Sequence, residues 1–169
     1  MMDEIYRTVH EQTNPIEAQV LGKLPVWLNG SLLRNGPGKY EVGSESYKHW
    51  FDGLGMLHNF HINGSNGKVF YRSRFVRSQA FVEAETRRSI TYAEFGTPVP
   101  TDPCKNIFAK FFSYFLPPER TDNCSINVIH VKGKPYAASD SPFILEVDQD
   151  SLEVLASFNM RKDFPGKDG

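Results

Sequence analysis

Cysteine is scarce in this sequence: two in 169 residues, Cys104 and Cys124, twenty positions apart and outside any CxxC or Cys/His pattern. That excludes a disulfide framework and a zinc box, and it predicts reduced thiols. Net charge is nearly absent as well, −1 at pH 7 with 23% charged residues, which removes the basic surface that a nucleic-acid partner requires. No apolar run approaches the roughly eighteen residues needed to span a bilayer. The amino terminus, MMDEIYRTVHEQTNPIEAQV, lacks the basic start and apolar core of a signal peptide. The expectation is a cytoplasmic protein. Nucleophile, phosphate-loop and metal-box motifs are also missing.

What is present is ordinary globular material with an aromatic excess: 40% hydrophobic and 13% aromatic residues, including thirteen Phe. The length fits one domain. Residues 1–20 are expected to form a polar arm and residues 21–169 the domain, in which Leu21–Leu28 is the first segment with side chains to bury and Trp27 an ordinary packing residue. Between Gly30 and Phe60 the pairs Asn35-Gly36, Pro37-Gly38 and Asp52-Gly53 are turn signals, because Asn, Asp and above all Gly tolerate positive φ.

Strands follow from alternation and from β-branched and aromatic content. Met56–Ile62 alternates weakly, Asn63-Gly64-Ser65-Asn66-Gly67 is a hairpin loop, and Lys68–Phe75 is a strand. Residues 76–88 stay open, and Ser89–Phe95 (SITYAEF) again has strand character. Ser125–Val131, Tyr136–Ser139, Phe143–Asp148 and Leu152–Phe158 form four short strands with tight connections, the pattern of a meander in a propeller blade or a sandwich.

One helix is written between the strand regions. Asp102 is its N-cap, Pro103 takes the first position, and Pro117-Pro118 ends it, for a helix near 103–116. At about 100° per residue, Ile107, Phe108, Phe111, Phe112 and Phe115 fall within an arc of roughly 140°. Full burial of five such side chains is worth on the order of 10 kcal/mol against protein or lipid alike. The energy does not choose between a helix packed on the sheet and one in a membrane interface, where the flanking Lys105 and Lys110 would suit. Cys104, in the first turn, is either a buried thiol or a site of S-acylation.

His49, Asp52, His58 and His61 are the local group with ligand-type side chains, but on a strand His58 and His61 point to opposite faces and do not share a metal. His130 stands alone in a strand. Residue chemistry by itself therefore predicts an all-β domain with one amphipathic helix.

The strings NGSLLRNGPGKYEVG, YKHWFDGLGMLHNF, FYRSRFVRS, EFGT, DPCKNIFAKFFSYF and TDNCSINV, in this order, resemble the amino-terminal third of the carotenoid cleavage oxygenase family, in particular its animal carotene oxygenase and retinoid isomerohydrolase members. The resemblance implies a partial seven-bladed β-propeller, first blades only. In the full-length family member it implies Fe(2+) held by four His ligands, and O₂ inserted across a double bond of an apolar polyene. It also tips the Phe-rich helix toward a membrane surface, with Cys104, Ile107, Phe108, Phe111, Phe112 and Phe115 as contacts and a peripheral membrane location. The first ligand His of the family is expected beyond Gly169, so His49, His58, His61 and His130 inherit no metal role. Where relatives carry a glutamate that hydrogen-bonds a ligand His, this chain has Tyr136-Ala-Ala-Ser-Asp140-Ser, which makes Asp140 the candidate for that supporting position, with a solvated turn aspartate as the alternative. The competing expectation is a truncated, non-catalytic product that binds membrane, an apolar ligand or another chain.

Overall fold

The structure, a computed structural model, describes residues 7–99 and 121–164. The helix expected near 103–116, with Cys104, Ile107, Phe108, Phe111, Phe112 and Phe115, lies outside the described residues. Among those residues no helix is long and apolar enough to cross a membrane.

Two four-stranded antiparallel sheets dominate. The first is built from β1 (Gln12–Ala18), β2 (Asn29–Lys39), β5 (Leu54–Asn63) and β6 (Lys68–Phe75) in the order β1-β6-β5-β2, with the small β3 (Glu41–Val42) and β4 (Glu45–Ser46) ribbon beside it. The second is a meander of β7 (Asn127–Val131), β8 (Lys134–Ala138), β9 (Phe143–Val147) and β10 (Val154–Asn159) in the order β10-β9-β8-β7. Short helices are α1 (Gln79–Arg87) and α2 (Met160–Asp163).

The hairpin β5–β6 forms where its loop chemistry demands. Asn63 Oδ1 accepts from the Asn66 amide (3.2 Å), Asn66 Oδ1 accepts from the Lys68 amide (3.1 Å), and Gly67 takes φ +70°. In the second sheet the β7–β8 connection is a two-residue turn with φ of 50° at Lys132 and 80° at Gly133, the twist-matched hairpin geometry.

Four expectations need correction. Asn35-Gly36 and Pro37-Gly38 are not turns but the second half of β2. Pro37 is tolerated because β2 is an edge strand and its register shifts between Pro37 and Lys39. Gly38 serves close packing, since a Cβ there would stand 2.6 Å from Met56 Cβ. Residues 12–18, inside the stretch expected as an arm, are β1, paired with β6 from Gln12↔Ser73 to Ala18↔Val69. Trp27 is 77% exposed and Leu21 88%, so the first apolar segment buries little. Ser89–Phe95 is not a strand, because side chains and turns take its backbone donors. Glu45 Oε2 accepts from Ile90 N (2.6 Å), and Glu94 N donates to the Thr97 carbonyl (2.9 Å).

Residues 76–88 resolve into α1. Ser78 Oγ caps it by accepting from Phe81 N (3.1 Å), and both carboxylate oxygens of Asp122 accept from Gln79 N and Ala80 N (2.7 and 2.8 Å). Arg88 ends it at φ 53°. Its apolar face, Ala80, Phe81 and Ala84, packs with Tyr40, Val42, Met56 and Phe75 into one core. The second core lies between the sheets, where Leu33 and Leu57 from the first meet Ala137, Leu145 and Val147 from the second.

Leu57 is fully buried in that second core. Leu57→Ala is expected to lower unfolding free energy by about 2–5 kcal/mol in urea titration, and the exposed Leu155→Ala by less than about 0.5 kcal/mol.

Candidate functional site

Where the second core meets the ends of β2 and β5, a cleft of about 740 Å³ opens. Its wall carries Pro37, Phe51, Phe95 and Ile126 among its apolar groups, with Asp52, Glu94, Asn123 and Asp140 among the polar ones. These come from segments far apart in the chain, and two buried side chains hold the segments together.

The first is Asp52, fully buried in the turn that precedes β5. Its carboxylate accepts from Gly96 N (3.1 Å) and from Thr97 Oγ1 (2.6 Å), and Thr97 Oγ1 in turn accepts from Lys48 N (2.7 Å). The second is Asn123, whose Oδ1 accepts from Gly55 N (2.9 Å) while its Nδ2 donates to the Gly53 carbonyl (3.2 Å). Asn35 Nδ2 adds a third tie, to the carbonyls of Cys124 and Asn127 (2.8 and 3.1 Å). A buried charge and a buried amide satisfied in this way make the loop positions stiff rather than adjustable.

The aromatic rim follows from the Asp52 clamp. With Gly96 and Thr97 fixed, Phe95 stands 82% exposed at the mouth. His49 packs between Phe95 and Phe51, each ring centroid 5.0 Å away, and Trp50 stacks on Phe51 at 5.1 Å.

Glu94 is the unusual group. Thr121 and Asn123 donate to its carboxyl, yet Oε1 is buried without a hydrogen-bond partner. Burial pushes its pKa up to about 8; the two hydrogen bonds oppose that rise, and the negative charges of Asp52 and Asp140 add to it. Tyr47, buried nearby, is also held well above the ordinary phenol range, first by burial and then by the charges of Glu94, Asp52 and Glu45. Cys124, behind the wall, is pushed up to about 12 by burial and by Asp122, which makes it an inert thiol.

Asp140 lies exposed on the turn between β8 and β9 and faces this cleft. The histidines of the sequence analysis scatter. His49 is at the rim, His58 Nδ1 is 2.8 Å from Tyr71 Oη with burial lowering its pKa, and His61 Nδ1 is 3.2 Å from Ser31 Oγ. Among the described residues no three His, Cys, Asp or Glu side chains converge to hold a metal ion, so the described donor set does not fit an iron centre. Sequence reasoning did not single out Glu94 or Asn123. The only signal was that each lies inside a string with a family likeness, EFGT and TDNCSINV.

A profile of the family described as Retinal pigment epithelial membrane protein matches residues 6–168. The beta,beta-carotene 15,15'-dioxygenase of Homo sapiens is 45% identical over 164 residues, covering 95% of this chain and 30% of the relative. That of Gallus gallus is 46% identical over 164 residues, covering 95% and 31%. Among solved structures, a cobalt-substituted apocarotenoid oxygenase of Synechocystis matches with a TM-score of 0.73 at 26% identity, over 94% of this chain and 32% of that one. An ACO/RPE65 chimera matches with a TM-score of 0.76 at 26% identity, over 94% and 32%. The chain spans about a third of the length of these relatives.

The raised pKa of Glu94 makes stability depend on pH in a defined direction. Between its ordinary value of 4.5 and about 8 the folded chain holds more protons than the unfolded one, so stability falls as pH rises through that window and levels off above it. Glu94→Gln removes this term. Urea titrations are expected to show the variant gaining on wild type by on the order of 5 kcal/mol between pH 4.5 and 9, with most of the gain below pH 8.

Proposed function

The chain belongs to the carotenoid cleavage oxygenase family, and from that premise we propose that it serves the oxidative cleavage of a double bond in a carotenoid or retinoid polyene, as part of a longer enzyme. The observation that carries this reading is the 45% identity with a carotene dioxygenase along nearly the whole chain. The cleft is the place where the reaction would use these residues. Pro37, Phe51, Phe95 and Ile126 suit a long apolar chain, whose transfer from water is worth roughly 25 cal/mol per Å² buried. The clamp of Asp52 on Gly96 and Thr97 would hold Phe95 against that chain, so that one double bond is presented rather than several.

The family uses iron, which when bound supplies the activation of O₂. The ligands are proposed to come from the remainder of the longer protein, and Asp140 to accept a hydrogen bond from one ligand imidazole, orienting its ring. The two four-stranded sheets, β1 included, are proposed as the first blades of a seven-bladed propeller and the start of a single domain. The helix near 103–116 is proposed to rest on a membrane surface through Ile107, Phe108, Phe111, Phe112 and Phe115, with Cys104 beside them. A polyene would then enter the cleft from lipid without crossing water.

A chimera tests the reading: this chain replaces the matching segment of the chicken carotene dioxygenase, and the product is loaded with Fe(II) and given β-carotene and O₂. Chromatography is expected to show aldehyde products. Asp140→Ala should lower turnover about 10- to 100-fold and Asp140→Glu should restore it. A folded, iron-loaded chimera without products would reject the assignment. For the helix, flotation with liposomes should be lost in a Phe111→Asp, Phe112→Asp double variant, and unchanged flotation would remove the membrane role.

A further inference from the structure

Three carboxyl groups bear on the cleft, and their surroundings differ. Asp52 is buried but receives Gly96 N and Thr97 Oγ1, the partners that an ionised carboxylate needs. Asp140 is exposed to water on its turn. Glu94, half-buried, has each remedy only in part: Thr121 and Asn123 reach its carboxyl, but Oε1 is buried and unpartnered, and the charges acting on it from the packed elements are those of Asp52 and Asp140, both negative. The other titratable groups on that side are the buried Tyr47 and, beside Phe95, His49. The buried phenol of Tyr47 supplies no compensating positive charge.

We propose that Glu94 is the proton-holding wall of the cleft, neutral whenever an apolar ligand is bound, so that its ionisation and ligand occupancy exclude each other. The inference deepens the proposed function, since it rests on the cleft taking an apolar polyene. The physical reason is linkage. A polyene seated against Phe51 and Phe95 displaces the water that would solvate a Glu94 carboxylate, and it offers no hydrogen-bond donor in exchange. The ionised state therefore binds the ligand less well, and by reciprocity the ligand raises the proton affinity of Glu94. A charged Glu94 would also repel Asp52 and Asp140, which pulls against the loop carrying Phe95. Neutral Glu94 leaves the deep part of the cleft with the single charge of Asp52, already covered by its partners.

The test uses the full chain in a Trp27→Phe background, which leaves Trp50, stacked on Phe51, as the sole tryptophan. Quenching of Trp50 by all-trans-retinol in detergent micelles reports binding. Affinity is expected to fall about tenfold or more between pH 6.5 and 9.5. Glu94→Gln should bind with the same affinity at both pH values, whatever that affinity is, and Asp140→Asn should shift the midpoint of the wild-type decline.

 Because Asp140 does act on Glu94, removing its negative charge is expected to bring that midpoint to lower pH. A wild-type affinity that is flat with pH, or a Glu94→Gln variant that keeps the wild-type decline, overturns the inference. If retinol binds at no pH, the functional reading fails by itself. The proton is then read without ligand: a carbon-13 titration in which Glu94 ionises in the ordinary carboxylate range overturns the inference, and one in which it stays neutral at pH 7 upholds the proton-holding role.

Discussion

A carboxylate with no access to water must have its charge met by donors, and the architecture of the cleft is largely the answer to that requirement at Asp52. The turn before β5 places it inside, and among the described residues its carboxylate receives its donors from residues 96 and 97, more than forty positions later. The chain therefore has to fold back over the end of the first sheet. In doing so it brings Phe95 to the mouth and Glu94 into the wall. Removing the charge from Asp52 would remove the reason for that loop to sit where it does.

Asn123 plays the matching part for the second sheet. Its amide spans the backbone of Gly53 and Gly55, so the segment that enters β7 is tied to the same turn that carries Asp52. The inter-sheet core of Leu57, Leu145 and Val147 supplies most of the cohesion, but it is non-directional and would tolerate small sliding. The amide contacts define the alignment. A cleft built at such a junction takes exposed apolar side chains from the loops at its rim, Phe51, Phe95 and Ile126, and polar groups from the joint.

Much of the strand pattern was legible in the sequence. Lys68–Phe75 has the same limits as β6, and the four strands after Ser125 appear as β7 to β10 within a few residues. Local rules sufficed there because alternation and hairpin loops are short-range signals. They misled at Asn35-Gly36 and Pro37-Gly38, where an edge strand accommodates residues that would otherwise turn, and at SITYAEF, where β propensity found no strand to pair with. In the candidate site, Asp140 was reached through a resemblance, whereas Glu94 was not singled out at all. A glutamate beside a phenylalanine looks solvated until the packing of other segments shows that it is half-buried, with Oε1 out of reach of water.

The sequence by itself determined the family, the predominance of β structure and the periodic faces that become the two cores, because each is carried by residue identity and spacing along the chain. Only the tertiary structure decided which of those strings meet. HWFDG, EFGT and TDN are separated by tens of residues in the chain, yet they close one cleft, since the hydrogen bonds of Asp52 and Asn123 reach across sequence that no local rule connects. The proton on Glu94 belongs to that second category as well. It depends on burial and on two neighbouring negative charges, quantities that exist only once the sheets have packed.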